Sequence, residues 1–156
     1  MKALIAMCCL VLPLVAVGQD RIPVQVLHEG NDPVGFAVSM EMRKAILGIG
    51  WNVPYYSARD FRQARIMLTM TSVDVDAGSA RSGVRSAIAI AILYNPSNNP
   101  IPPALTMHLH TRIQLCGAAK VVDCAREILE AMNQEVETLR KLSPEVWKEL
   151  SQVPPK

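Results

Sequence analysis

Three strand-like runs follow one another in the middle of the chain, and this succession constrains the fold more than any other feature. The runs span residues 64–71, 84–94 and 104–115, and apolar side chains recur in them at alternate positions. In the second run both faces are apolar, with isoleucines on one face and alanines on the other. This pattern is typical of a central strand whose small face lets another element approach closely.

The segments around these runs predict one more strand and two main helices. Residues 21–28 alternate like a strand, and Asp32 followed by Pro33 marks a helix N-cap and first helical position. A very short strand can begin at Val53. Apolar residues recur at helical spacing before and after the three runs, at Val34, Val38, Met42, Ala45, Ile46 and Ile49, and at Ala125, Leu129, Met132, Val136 and Leu139.

The element order predicts an α+β two-layer sandwich. We expect a mostly antiparallel sheet of about four strands with two main helices on one face, in the order β-α-β-β-β-α, followed by a short C-terminal helix. In the last strand, the predicted core-facing side chains are Leu105, Met107, Leu109, Ile113 and Leu115. The face of the sheet without helices is left to water or to a partner.

The amino terminus has the features of a secretory signal peptide. Lys2 precedes an apolar run that ends in the small residues before Gln19. Asp20 and Arg21 stop this run before the about 20 apolar residues that a membrane span needs, so we expect no span in the mature chain. We therefore predict a signal peptide at 1–18, one domain at 19–142, a helix and tail at 143–156, and a periplasmic or secreted location. An uncleaved anchor is the alternative.

Two cysteines remain in the predicted mature chain, Cys116 and Cys124. Disulfides persist in exported proteins, so a bond between them is expected. Eight residues of helix would separate the Cα atoms by about 12 Å, beyond the reach of a disulfide. We therefore predict a loop over 117–122 and a helix that starts at Cys124, capped by Asp123. The alternative is a helix from near Ala118 with two free thiols.

Composition and motifs give no support to an enzyme. The 16 basic residues fall to 15 without Lys2, against 14 acidic residues, so a nucleic-acid partner is not expected. We find no nucleophile elbow and no phosphate-binding loop, and we expect no cofactor. Asp74 and Asp76 resemble the start of a calcium loop, but its twelfth position is Arg85, which favours an ordinary hairpin turn.

His108 and His110 are the candidate metal ligands. Their spacing would place both imidazoles on one side of a strand, together with Arg112. A metal site needs a third ligand, for which His28 or a carboxylate is available. A metal-binding protein or hydrolase that uses this pair is the alternative function, and a solvated strand face is the competing interpretation.

Two groups of residues are candidates for partner binding. Trp51, Tyr55 and Tyr56 cluster in one connection, where exposed aromatic residues would indicate recognition and buried ones would cap the core. The mixed face of the first of the three runs carries Met67, Thr69 and Thr71.

The segment MRKAILGIGWNV resembles part of the small envelope domains of Gram-negative bacteria, such as the amino-terminal domain of TolB-type periplasmic proteins. The resemblance rests on the element order and on Met42, Ala45, Ile46, Gly50 and Trp51. It implies an envelope setting and protein contacts, and it carries over no catalytic residue. We therefore expect an exported interaction or structural module whose partner is another envelope protein or a second copy.

Overall fold

A computed structural model of the chain describes residues 22–48, 52–54, 64–96 and 106–152. The predicted signal peptide at 1–18 lies outside these ranges. The elements are, in chain order, β1 (Ile22–Glu29), α1 (Pro33–Gly48), β2 (Asn52–Pro54), β3 (Arg65–Asp74), β4 (Arg85–Asn95), β5 (Met107–Gly117), a 3₁₀ turn (Ala118–Lys120), α2 (Val121–Leu142) and α3 (Pro144–Ser151).

The described strands form one mixed sheet in the order β2-β1-β3-β4-β5. β1 lies parallel to β2 and to β3, whereas the β3-β4 and β4-β5 pairs are antiparallel and longer. β1 can be parallel to β2 because α1 carries the chain back before β2 begins. The structure confirms the α+β class and the predicted element order, with β2 as a three-residue strand around Val53.

The helices and the inward side chains of the strands share one hydrophobic core. Ile88, Ile90 and Ile92 of β4 are at most 1% exposed, and Leu150 ties α3 to the same core. The prediction that β4 is a central strand with its isoleucines on the buried face is therefore confirmed. The apolar stripes of the two long helices are buried as predicted at Val34, Val38, Met42, Ile46, Ala125, Leu129, Met132, Val136 and Leu139. Ala45 is half-buried against the core, and Ile49 lies outside the described residues.

The start of α1 confirms the predicted cap. Pro33 is the first helical residue, and the Gly35 amide donates to Asp32 Oδ1 over 2.7 Å. The Ser86 hydroxyl of β4 donates to the same oxygen. Asp32 therefore satisfies an amide of the first helical turn and links the helix to the sheet.

Cys116 and Cys124 form the predicted disulfide, with their Cα atoms 6.2 Å apart. The predicted local structure is wrong, however. β5 extends to Gly117 and α2 begins at Val121, so Cys124 lies in the first turn of the helix and Asp123 does not cap it. Geometry forbids both cysteines on one helix, but a strand end and a first helical turn satisfy the same distance.

The predicted orientation of β5 is wrong for its second half, whereas Leu109 packs against the core as predicted and Leu105 lies outside the described residues. Ile113 and Leu115 are 75% and 72% exposed, whereas Gln114 and Cys116 are 8% and 2% exposed and face the helices. Cys116 must face α2 to form the disulfide, and Gln114 donates to Glu127 of α2 over 2.7 Å. These contacts hold the even-numbered residues of this stretch on the helix side.

The other side of the sheet, which we call the open face, has no helix packed on it among the described residues. It is formed by Leu27, Met67, Thr69, Thr71, Val73, Ala87, Ala89, Ala91, Leu93, Thr111, Ile113 and Leu115. Arg65 and Asn95 at one end are 2% and 5% exposed, whereas Val73 at the other end is 59% exposed. The accessible half of the open face therefore lies toward the β3-β4 turn.

Among the described residues, no helix is long and apolar enough to cross a membrane.

Candidate functional site

The accessible half of the open face carries an apolar patch, which we define as Val73, Ala87, Ala89, Ile113 and Leu115. The strand register places Val73, Ala87 and Leu115 in one row and pairs Ala89 with Ile113 in the next row. Its three large side chains are exposed, Val73 by 59%, Ile113 by 75% and Leu115 by 72%. Single exposed apolar residues are common, but a contiguous group of them is typical of a contact surface.

The patch has a shallow groove along β4. Its centre is lined by alanine methyl groups, while Val73 on β3 and Leu115 on β5 stand on either side. Neighbouring strands lie about 4.8 Å apart, so the two walls are roughly 10 Å apart. That width suits the packing of a helix or of a second strand layer, which is the close approach that the alanine pattern predicts.

The residues predicted to bind a partner have different outcomes. Met67, Thr69 and Thr71 all lie on the open face, where Thr71 is exposed and the other two are half-buried. Thr71 pairs with Ala89 and so borders the apolar patch. Trp51, Tyr55 and Tyr56 lie outside the described residues. A binding role for either group stays a prediction.

Charges at the end of the patch are paired within the β3-β4 turn. Arg85 donates to both carboxylate oxygens of Asp76 over 2.8 and 2.7 Å. This hydrogen bond lowers the pKa of Asp76 and raises that of Arg85. Because the Arg85 charge is matched locally, the surface beside the patch stays suited to an apolar contact.

Asp74 organises the same turn. Its carboxylate accepts hydrogen bonds from the Ser82 hydroxyl at 2.7 Å, from the Gly83 amide at 2.7 Å and from the Asp76 amide at 2.9 Å. These bonds, the one from Ser82 first, lower the pKa of Asp74. The side chains of Asp74 and Asp76 are therefore both hydrogen-bonded within the turn, as the prediction of an ordinary hairpin turn expects.

A second group of polar side chains lies under the first turn of α1. His28 Nε2 is 2.7 Å from the Ser72 hydroxyl oxygen, and Asp32 interacts with Ser72 and Ser86. Burial alone would raise the pKa of Asp32. The hydrogen bonds from Ser72, Ser86 and the Gly35 amide outweigh this effect, so the pKa lies below its ordinary value.

This polar group is not arranged for nucleophilic catalysis. In a catalytic triad the histidine lies between the nucleophile and the carboxylate, whereas here Ser72 lies between His28 and Asp32. Ser72 is also only 3% exposed, and its hydroxyl is engaged with His28. An adjacent cavity of about 580 Å³ is bordered by Asp32 and Asp74. Oδ1 of Asp32 and the Asp74 carboxylate accept local hydrogen bonds, whereas the buried Oδ2 of Asp32 has no hydrogen-bond partner among the described residues. The group serves to hold α1 on the sheet.

His108 and His110 do not share a face. His108 pairs with Leu93 and His110 with Ile92, because a β-bulge interrupts the register between these pairs. His108 therefore lies on the open face beside Thr111, whereas His110 faces α2, with Nδ1 3.3 Å from Glu135 Oε1. Within the described ranges, no three His, Cys, Asp or Glu side chains are grouped as a metal site would need. The prediction that His108, His110 and Arg112 share one exposed edge is therefore wrong. The bulge leaves His108 on the open face, whereas His110 and Arg112 lie on the helix side.

Sequence reasoning missed Ile113 and Leu115, the two most exposed members of the patch. The signal was present in the predicted disulfide. If Cys116 bonds to a helix that packs on the sheet, then alternation places Gln114 inside and both odd-numbered neighbours outside.

Comparison with known proteins gives no assignment. No protein-family model matches this chain, and no curated protein sequence matches it.

Proposed function

We propose that this chain is a small exported protein that binds another protein of the cell envelope through the apolar patch. The observation that carries the proposal is the contiguous exposure of Val73, Ile113 and Leu115 on a sheet face that no helix of the described residues covers. A contiguous exposed apolar patch favours aggregation if it stays in water, and it stabilises a complex if a partner covers it.

Export is supported by two features. The disulfide between Cys116 and Cys124 belongs to the kind of bond that persists in oxidising compartments. The amino-terminal segment has a basic start, an apolar run and small residues before Gln19, as secretory signal peptides do. Intact mass of the protein recovered from the periplasm should therefore show removal of residues 1–18 and the loss of two hydrogens.

Binding through the patch is tested by matched glutamate substitutions. Ile113→Glu places a charge in the patch, whereas Val122→Glu places one at a 64% exposed position on α2. Each protein is used to capture partners from the native envelope, and the captured proteins are quantified. We expect at least one protein that the wild type and the Val122→Glu control retain and that Ile113→Glu loses.

The proposal is contradicted if every captured protein binds the Ile113→Glu variant as well as it binds the wild type. Circular dichroism of the two variants checks that both remain folded, so that loss of binding reports on the surface alone.

A further inference from the structure

β5 is a long edge strand. It contains 11 residues, and its outer side pairs with no other strand in the part of the chain that the structure describes. The opposite edge is formed by β2, which has three residues. Natural sheets usually protect long edges with charges or prolines because an open edge is a template for another chain. On the open face, the part of β5 beyond the bulge carries Thr111, Ile113 and Leu115, and so has neither a charge nor a proline there.

The regular part of β5 is centred on Ile113. The bulge interrupts the register near Leu109, and pairing then continues without interruption from His110 to Cys116. Two copies that pair in antiparallel orientation about Ile113 would use the whole of this stretch. Ile113 would then lie opposite its own copy, and Leu115 opposite the partner's Thr111, so that the two apolar patches meet at the symmetry axis.

Two polar groups on the helix side of β5 fit the same register. Half-buried Arg112 has no hydrogen bond or ion pair in the part of the chain that the structure describes. Gln114 donates through Nε2 to Glu127, while its buried Oε1 has no hydrogen-bond partner. Pairing about Ile113 brings Arg112 of each copy opposite Gln114 and Glu127 of the other. The Arg112 guanidinium of one copy would then lie near Gln114 Oε1 of the other, and the twofold symmetry would repeat this contact.

We propose that a second copy of this chain pairs with β5 in antiparallel register about Ile113, joining the two sheets into one. This inference rests on the proposed function, since it names a partner for the β5 side of the apolar patch. The net charge of +2, which falls to +1 without Lys2, leaves little repulsion between the copies. The joined patches form one larger apolar surface across the dimer.

The register is tested by cysteine cross-linking of the exported, processed protein. Opposite residues of an antiparallel pair have Cα atoms about 4.5–5.5 Å apart, within the range of a disulfide. Ile113→Cys should therefore give a covalent dimer on mild oxidation. Leu115→Cys is the matched control, because it is similarly exposed but its two copies would lie about 14 Å apart. Mixing Leu115→Cys with Thr111→Cys should restore the cross-link.

Sedimentation of the same protein tests the charge contact. The wild type should be a dimer, and Arg112→Glu should raise the dimer dissociation constant at least about tenfold by facing Glu127 of the other copy. The double variant with Glu127→Arg should recover most of this loss, which a merely unfolded variant would not do.

A monomeric wild type at about 100 μM overturns the inference, since that concentration would populate even a weak dimer. Equal cross-linking of the Ile113→Cys and Leu115→Cys variants overturns it as well. If the wild type is monomeric but patch-dependent capture of an envelope protein succeeds, the proposed function stands and only the second copy is rejected. If both experiments fail, both proposals fall.

Discussion

Ser72 is the residue on which the first turn of α1 rests. Gly30 and Gly35 both pack against it, and a Cβ at Gly35 would overlap the Ser72 side chain and lie 2.8 Å from Asp32 Oδ2. Gly30 also has a φ of +131°, a conformation that other residues rarely adopt. The two glycines thus allow the loop and the helix to lie close to β3.

Gly35→Ala should destabilise the protein by about 2–3 kcal/mol, because the added methyl group must displace Ser72 or the helix. Gly48→Ala is the matched control, since a Cβ there meets nothing within 4 Å. The control should leave stability unchanged or raise it slightly through helix propensity. Urea denaturation measures both effects, and an equal stability of the two variants would show that the close packing at Ser72 is absent.

Asp32 should make stability depend on pH in a defined direction. Hydrogen bonds that outweigh burial lower its pKa in the folded state, so ionised Asp32 stabilises the protein above the pKa of the unfolded chain, about 3.9. That contribution is lost as the pH falls through the lower, folded-state pKa.

Asp32→Asn should therefore cost about 1–2 kcal/mol at pH 7, and the difference from the wild type should shrink below about pH 4. Unfolding free energies at pH 7 and pH 3 provide the measurement, with exposed Asp123→Asn as the control. A difference that is constant over this range would mean that the Asp32 charge contributes nothing to the cap.

At the scale of the element, β5 shows why alternation alone can mislead. Period-two apolarity predicts which residues share a face, but it does not say which face meets the helices when both carry apolar and polar side chains. In β5 the decision is made by contacts with α2, through the Cys116 disulfide and the Gln114 hydrogen bond. The bulge near Leu109 then separates two histidines that simple alternation places together.

Substitutions in β5 should distinguish the two orientations. Ile113→Thr and Leu115→Thr should each change the unfolding free energy by no more than about 0.5 kcal/mol, since both side chains are exposed in one copy. Ile90→Thr in the core should cost more than about 2 kcal/mol. Denaturation is measured at a protein concentration low enough to exclude association, which would add to the stability. A cost at Ile113 equal to that at Ile90 would restore the orientation inferred from the sequence.

At the scale of the whole molecule, the parts that follow from local signals were predictable. The cap at Asp32, the isoleucine face of β4, the helical stripes and the disulfide partners each depend on a few neighbouring residues. The parallel position of β1 depends on contacts between distant segments, which no short pattern contains. The orientation of β5 follows only when the predicted disulfide is combined with the packing of the bonded helix on the sheet. The apolar patch was missed for this reason, because Val73, Ala87 and Leu115 become neighbours only when three strands assemble.

The bond between Cys116 and Cys124 determines how a mechanical load would pass through the protein. A partner bound to β5, as proposed above, would pull on a strand that is held to β4 by hydrogen bonds, and these bonds can break one after another from the strand end. The disulfide sits at the end of that strand and joins it covalently to the first turn of α2. Tension on β5 is therefore transferred to the helical layer, and the sheet margin cannot peel away from the body of the domain at that end.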